Sequence, residues 1–134
     1  MSDPLLSVTL PSPPSANRLW RHIGFNKVLR SREYRAWTEA ATVIIRAEIS
    51  GALDGPYQMN VEVGRPDRRR RDLDNLIKPL GDSLVAAGAV TDDANCQRIE
   101  AAWSSQIVGV RVTLVTATFI EPIERSARAK ARAR

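Results

Sequence analysis

Residues 65–93 read RPDRRRRDLDNLIKPLGDSLVAAGAVTDD. Arg68, Arg69, Arg70 and Arg71 run directly into Asp72 and Asp74, Lys78 follows four residues after Asp74, and a second acidic pair, Asp92 and Asp93, closes the stretch. Carboxylates crowded together repel one another unless a cation neutralises them. Two acidic clusters joined by one amphipathic segment therefore point to a site for a hard divalent ion. Mg²⁺ takes oxygen ligands, uses few protein carboxylates and keeps positions for water and a substrate phosphate. Such an ion lowers the pKa of a bound water and polarises a phosphoryl oxygen. Lys78 offers a compact charge to a scissile phosphate, and the four arginines offer grips for flanking phosphates. The chemistry this set supports is metal-assisted phosphodiester hydrolysis. Ordinary alternatives stand beside it. Asp74 and Lys78 at i, i+4 also make an exposed salt bridge worth roughly a few tenths of a kcal/mol, and an arginine block is often a solvated loop.

The aspartates need particular backbone around them. Asp72 and Asp74 diverge by about 200° if both are helical, so they converge only if Asp72 precedes the regular turns. Pro79 favours such a late or loosened start, because a proline inside a helix forfeits a backbone bond and biases the residue before it away from helical angles. Gly81 weakens the same turn. On a helical wheel over residues 73–87, Leu73, Leu76, Ile77, Leu80, Leu84 and Ala87 gather within an arc of about 100°, while Asp74, Lys78 and Asp82 stack on the far side. Asp82 is the expected outer partner of Lys78. Gly88 reads as the helix stop.

Around this stretch the chain has one domain's length, 134 residues, and its 43% hydrophobic content suits a globular core. The single cysteine, Cys96, has no internal disulfide partner, and with one histidine, His22, a Cys/His zinc cluster is excluded. A cytoplasmic setting is expected. The N-terminus has no basic region followed by an apolar core, and no apolar run reaches the roughly 18 residues of a membrane span. The net charge of +5 is local: Arg125, Arg128, Lys130, Arg132 and Arg134 carry it, and residues 1–124 balance 15 cations against 15 acids. Residues 125–134 are therefore expected to form a basic, disordered tail behind a domain spanning 1–124.

Alternating patterns predict strands over 5–10, 57–63, 98–103 and 107–119. Residues from Ser31 predict a helix capped by that serine, with Tyr34, Trp37, Ala40, Ala41, Ile44 and Ile45 on one face. Prolines 11, 13 and 14 end the first strand, and PPSANRLWRH reads as a loop presenting Asn17, Arg18, Arg21 and His22 beside Trp20. The order β-α-β-α-β-β predicts an α+β fold: a mixed, mainly antiparallel four-stranded sheet with both helices on one face. The close spacing of the last two strands favours a hairpin.

The segments PDRRRRDLDNLIK…D…L…AG…DD and PPSANRLWRH closely resemble the RusA family of Holliday junction resolvases, over about Val8 to Phe119. The Asp-Leu-Asp-Asn-Leu run with the later Asp-Asp is the specific part. The resemblance implies that Asp72, Asp74 and Asp93 bind Mg²⁺, with Mn²⁺ as its substitute, and that Lys78 is essential. It also implies a small α+β fold, a symmetric homodimer with two sites, and a DNA four-way junction nicked in two opposed strands. Pro79 and Gly81 depart from the helix formers in the family, as does the extended basic tail.

Other residues fall into place around these. Arg68–Arg71, Asn17 and Arg21 are expected on DNA, with Asn17 and Arg21 also able to brace the metal loop. Asn75, Asp92 and His22 are expected to support the ligands: Asn75 orients an aspartate or caps the helix, and Asp92 lies behind the ligands or caps a turn. A lone loop histidine more often hydrogen-bonds than catalyses. Trp20, Trp37 and Trp103 read as core or dimer contacts rather than stacking platforms, and of the three Trp20, in the basic loop, is the best placed for base stacking. Two rival readings remain: a non-catalytic nucleic-acid-binding protein, and a nuclease of the same fold acting on flaps or forks.

Overall fold

The computed structural model describes residues 5–14, 20–22, 28–65 and 72–120, with backbone alone for 20–22 and 28–30. Its elements are β1 (Leu6–Leu10), β2 (Trp20–His22), β3 (Val28–Arg30), α1 (Arg32–Glu48), β4 (Tyr57–Gly64), α2 (Ile77–Ala86), β5 (Cys96–Ser104) and β6 (Val110–Thr116). Single 3₁₀ turns precede α2, at Leu73–Leu76, and β5, at Asp93–Asn95.

Local sequence accounts for α1. Ser31 keeps an extended backbone, and its hydroxyl accepts the Tyr34 N–H at 3.1 Å, so the helix starts at Arg32. Tyr34, Trp37, Ala41 and Ile45 form the buried stripe, with Ile44 at its margin. Ala40 is exposed, against the expectation from spacing, because it lies about 100° round the helix from the stripe's centre. The Trp37 indole N–H donates to the Pro11 carbonyl at 2.8 Å, which ties the proline segment after β1 to the helix.

The main sheet is mixed and the fold α+β, as expected, but the strand order is β1-β6-β4-β5. β6 is antiparallel to both β1 and β4, and β5 is parallel to β4. Three rows of apolar side chains cross the antiparallel part: Leu6–Leu114–Met59, Val8–Val112–Val61 and Leu10–Val110–Val63. All are buried and share one core with the stripes of α1 and α2. Each such side chain contributes roughly 1.5–3 kcal/mol on burial, so these rows decide which strand lies where.

The expected hairpin between the last two strands does not form. β6 carries the Val110, Val112, Leu114 set and inserts between β1 and β4, where both neighbours bury it. β5 takes the sheet edge, where Ile99 and Ala101 stay exposed and Trp103 half-buried. The chain leaving β5 must therefore pass over the end of β4. Gly64 and Gly109 permit that crossing. A Cβ on Gly64 would sit 2.2 Å from the Ile107 carbonyl oxygen, and Gly109 takes φ +83° against Leu10. The Gly64 N–H donates to the Gly109 carbonyl at 2.8 Å and seals the crossing.

A second correction concerns the segment read as loop. The backbones of β2 and β3 pair antiparallel, Trp20 opposite Arg30 and His22 opposite Val28. Strands of three residues with mixed side chains carry no alternation to read. Asn17, Arg68–Arg71 and the tail at 125–134 lie outside the described residues.

Candidate active site

The site begins at Asp72, on the approach to α2. Asp72 has extended backbone, φ −102° and ψ 132°, so it stands outside helical register with Asp74. Leu73–Leu76 then make the 3₁₀ turn and α2 starts only at Ile77. Pro79 is the third residue of α2, where its missing N–H would have had no intrahelical partner. The loosened helix start expected from Pro79 is thus present, with Asp74 on the 3₁₀ turn and Lys78 in the first turn of α2.

The far end of α2 is fixed just as firmly. Gly88, at φ +77°, lets its N–H reach the Val85 carbonyl at 3.0 Å and the Ala89 N–H reach the Leu84 carbonyl at 2.9 Å. The Leu53 N–H donates to Ala89, and the Thr91 N–H donates back to Leu53, which pins the returning stretch of chain. It delivers Asp92 and Asp93. Asp92 Oδ1 accepts the Ala94 N–H at 2.9 Å and caps the 3₁₀ turn, one of the two roles read for it. Asp93 is the first residue of that turn.

A cavity of about 310 Å³ opens between α2, the Asp93 turn and the β4–β5 edge. Asp74, Lys78 and Asp93 line it, together with Tyr57, Met59, Ile77, Gly81, Cys96 and Ile99. Asp72 is not among the lining residues. Among the described residues, no three Asp, Glu, His or Cys side chains stand together as a ready set of metal ligands. Asp72, Asp74 and Asp93 are exposed, and among the described residues none of the three carboxylates is held in a hydrogen bond or ion pair. Oxygen-only donors open to solvent and not neutralised by a described cation suit a hard divalent ion.

The lysine is held by a different partner from the one its spacing also allowed. Lys78 Nζ lies 3.3 Å from Asp82 Oδ1, one turn on within α2. Asp74 belongs to the 3₁₀ turn, so the helical i, i+4 geometry is kept only on the Asp82 side. Burial pushes the Tyr57 hydroxyl and the Cys96 thiol up from their ordinary values, and the Asp93 carboxylate adds to both shifts. Those two walls of the cavity are therefore neutral at physiological pH, and Cys96 is no thiolate nucleophile.

The remaining sequence candidates among the described residues are not part of the cavity lining. Asn75 is half-buried beside Asp74 but does not line it. Arg21 and His22 lie on β2 with backbone alone described. Arg65, at the head of the arginine block, stacks its guanidinium over the Trp103 ring at 4.9 Å, a contact worth roughly 0.5–1 kcal/mol at an exposed site. Residues missed from sequence are the apolar lining, Met59, Ile77 and Ile99, and the hydroxyl of Tyr34 on Asp82. A tyrosine in a helix's buried stripe must place its hydroxyl on a partner, and that was the signal available for Tyr34.

Two aspartates and a lysine around one cavity of a small α+β domain suit chemistry on a phosphate. Residues 11–115 match the family Endodeoxyribonuclease RusA. The crossover junction endodeoxyribonuclease RusA of Shigella sonnei (strain Ss046) is 45% identical over 89 residues, 66% of this chain and 73% of that protein. The protein of the same name in Escherichia coli (strain K12) is 44% identical over the same shares. That of Enterobacteria phage 82 is 42% identical over 88 residues, 65% of this chain and 72% of its own. The chain belongs to the RusA endodeoxyribonuclease family and is an endonuclease.

Proposed function

We propose that this protein is a Mg²⁺-dependent endonuclease that resolves four-way DNA junctions by paired nicks, acting as a homodimer. The observation that carries the reading is the meeting of Asp74, Lys78 and Asp93 on one cavity, in a chain whose relatives are crossover junction endodeoxyribonucleases. Asp72, Asp74 and Asp93 would hold the ion, and their oxygen-only, solvent-open donor set supports that choice. When bound, the ion supplies an acidified water and charge stabilisation at the phosphoryl oxygens.

The chain's own groups do the rest. Lys78 lines the same cavity as Asp74 and Asp93, and its ammonium would neutralise charge building on the scissile phosphate there. Arg68–Arg71, with Asn17 and Arg21, bind the flanking backbone and set the register of the strand over the site. Asn75, Asp92 and His22 serve as supports for this set rather than as reacting groups.

One chain presents one such cavity among its described residues, and two opposed cuts in a twofold junction call for two sites related by a matching axis. A C₂ dimer meets that requirement.

Cleavage of junctions, forks, flaps and plain duplex by the purified protein, with Mg²⁺ and with a chelator, tests the reading. Junctions cut in two opposed strands, and no cutting under chelation, are the expected results. Equal cutting of all four substrates, or cutting in a chelator, overturns it. Preference for forks or flaps would transfer the site to those substrates, and Mg²⁺-independent binding with no cutting would leave a binding protein. A mixed dimer with one Asp74→Asn subunit should nick only one strand per binding event.

A further inference from the structure

Lys78 is 65% exposed in its side chain and has four rotatable carbons, so on its own it would sample many positions over the cavity. Its partner is not an ordinary surface acid. Asp82 is only 20% exposed, and its two oxygens are divided between two groups: Oδ1 lies 3.3 Å from Lys78 Nζ, and Oδ2 accepts the Tyr34 hydroxyl at 2.6 Å. Tyr34 is fully buried and sits in the stripe by which α1 packs on the core. A short O–H···O⁻ bond of this kind is charge-assisted and about twice as strong as a neutral one.

We propose that Asp82 is a positioning residue for Lys78, and that Tyr34 anchors it to the core. This rests on the reading of Lys78 as a working group of the site. The chain of contacts runs from a buried ring through one hydroxyl and one carboxylate to the ammonium. Each link removes freedom from the next. Asp82 does not itself line the cavity, so its charge holds the lysine without competing for a cation there. An exposed Lys–Asp pair adds little to stability. What the buried hydroxyl adds is direction: it fixes the carboxylate, and the carboxylate then selects which lysine rotamers reach the phosphate.

The test is single-turnover nicking of a four-way junction in Mg²⁺, with junction affinity measured in parallel, for D82N, D82E, Y34F and K78M, and for D82N and Y34F in the K78M background. Misplaced catalytic groups cost rate rather than binding. The expected loss of rate is on the order of 10-fold for D82N and about 3-fold for Y34F, with junction affinity retained and part of the rate restored in D82E. In the K78M background neither substitution should lower the residual rate further. Y34F keeps the ring that fills the core, so it reads the network even where D82N folds poorly. Wild-type rates in D82N and Y34F with K78M inactive would overturn the positioning role and leave Lys78 in place. So would a lowered melting temperature with unchanged rate, or equal losses with and without Lys78. Wild-type cutting by K78M would remove the reading beneath it.

Discussion

Asp74 and Asp93 line one cavity although the whole of α2 separates them in the chain. The helix makes this possible by running out from the 3₁₀ turn at Leu73–Leu76 and being closed at Gly88, so that its two flanking acidic segments return to the same side. Neither carboxylate is held by a described cation.

On the proposed metal site, Asp72→Asn, Asp74→Asn and Asp93→Asn should each abolish cleavage while junction binding is kept or tightened. Each change would remove a charge from the proposed metal site and also a repulsion toward phosphate. Gel-shift and cleavage assays on the same preparation check this. Parallel loss of binding would assign that residue a structural role, and activity within a few-fold of wild type would take it out of the site.

The basic tail can be separated from the catalytic core by its salt dependence. Deleting residues 125–134, which hold five cations, should weaken DNA affinity without changing which strands are cut. The slope of log affinity against log salt should fall by about 0.9 for every duplex phosphate that the tail neutralises in the full chain. An unchanged slope means that the tail does not touch DNA.

The strand crossing makes a stability prediction with its own control. A Cβ on Gly109 would fall 2.3 Å from the Leu10 carbonyl oxygen at a φ of +83°, so Gly109→Ala should cost about 2 kcal/mol or more. Gly81→Ala has open space and helical backbone, and should stabilise by about 0.5–1 kcal/mol. Urea unfolding of the two variants measures both. Equal, small effects would mean that the crossing over β4 tolerates a side chain.

Cys96 should alkylate slowly at neutral pH. Burial raises its thiol pKa, so the thiolate fraction at a given pH lies below that of a free cysteine, and the reaction should quicken only as pH climbs into the alkaline range. Iodoacetamide kinetics against pH check the sign. Fast modification at pH 7 would show a thiolate beside Asp93.

How far the sequence reached depends on whether a feature is local. Ser31 as a cap, the Tyr34–Ile45 stripe, Gly88 as a stop and the late start before Pro79 are set by neighbours a few residues away, and each was legible. So was the pairing of Lys78 with Asp82, because both lie on one helix. The acidic and basic residues suggested a metal-and-phosphate chemistry by type and spacing alone, and that chemistry is the proposal above. Strand order was not legible. Adjacent alternating runs suggest a hairpin, but β6 and β5 compete for burial against β4 and β1, and the fully apolar rows of β6 win the interior while β5 takes the edge. That outcome is a sum over side chains distant in sequence, and only the folded chain evaluates it. The same holds for the site. The sequence supplied the carboxylates and the lysine, while the tertiary structure brought Asp74 to Asp93, left Asp72 off the cavity wall, and set a buried Tyr34 hydroxyl on the acid beside Lys78.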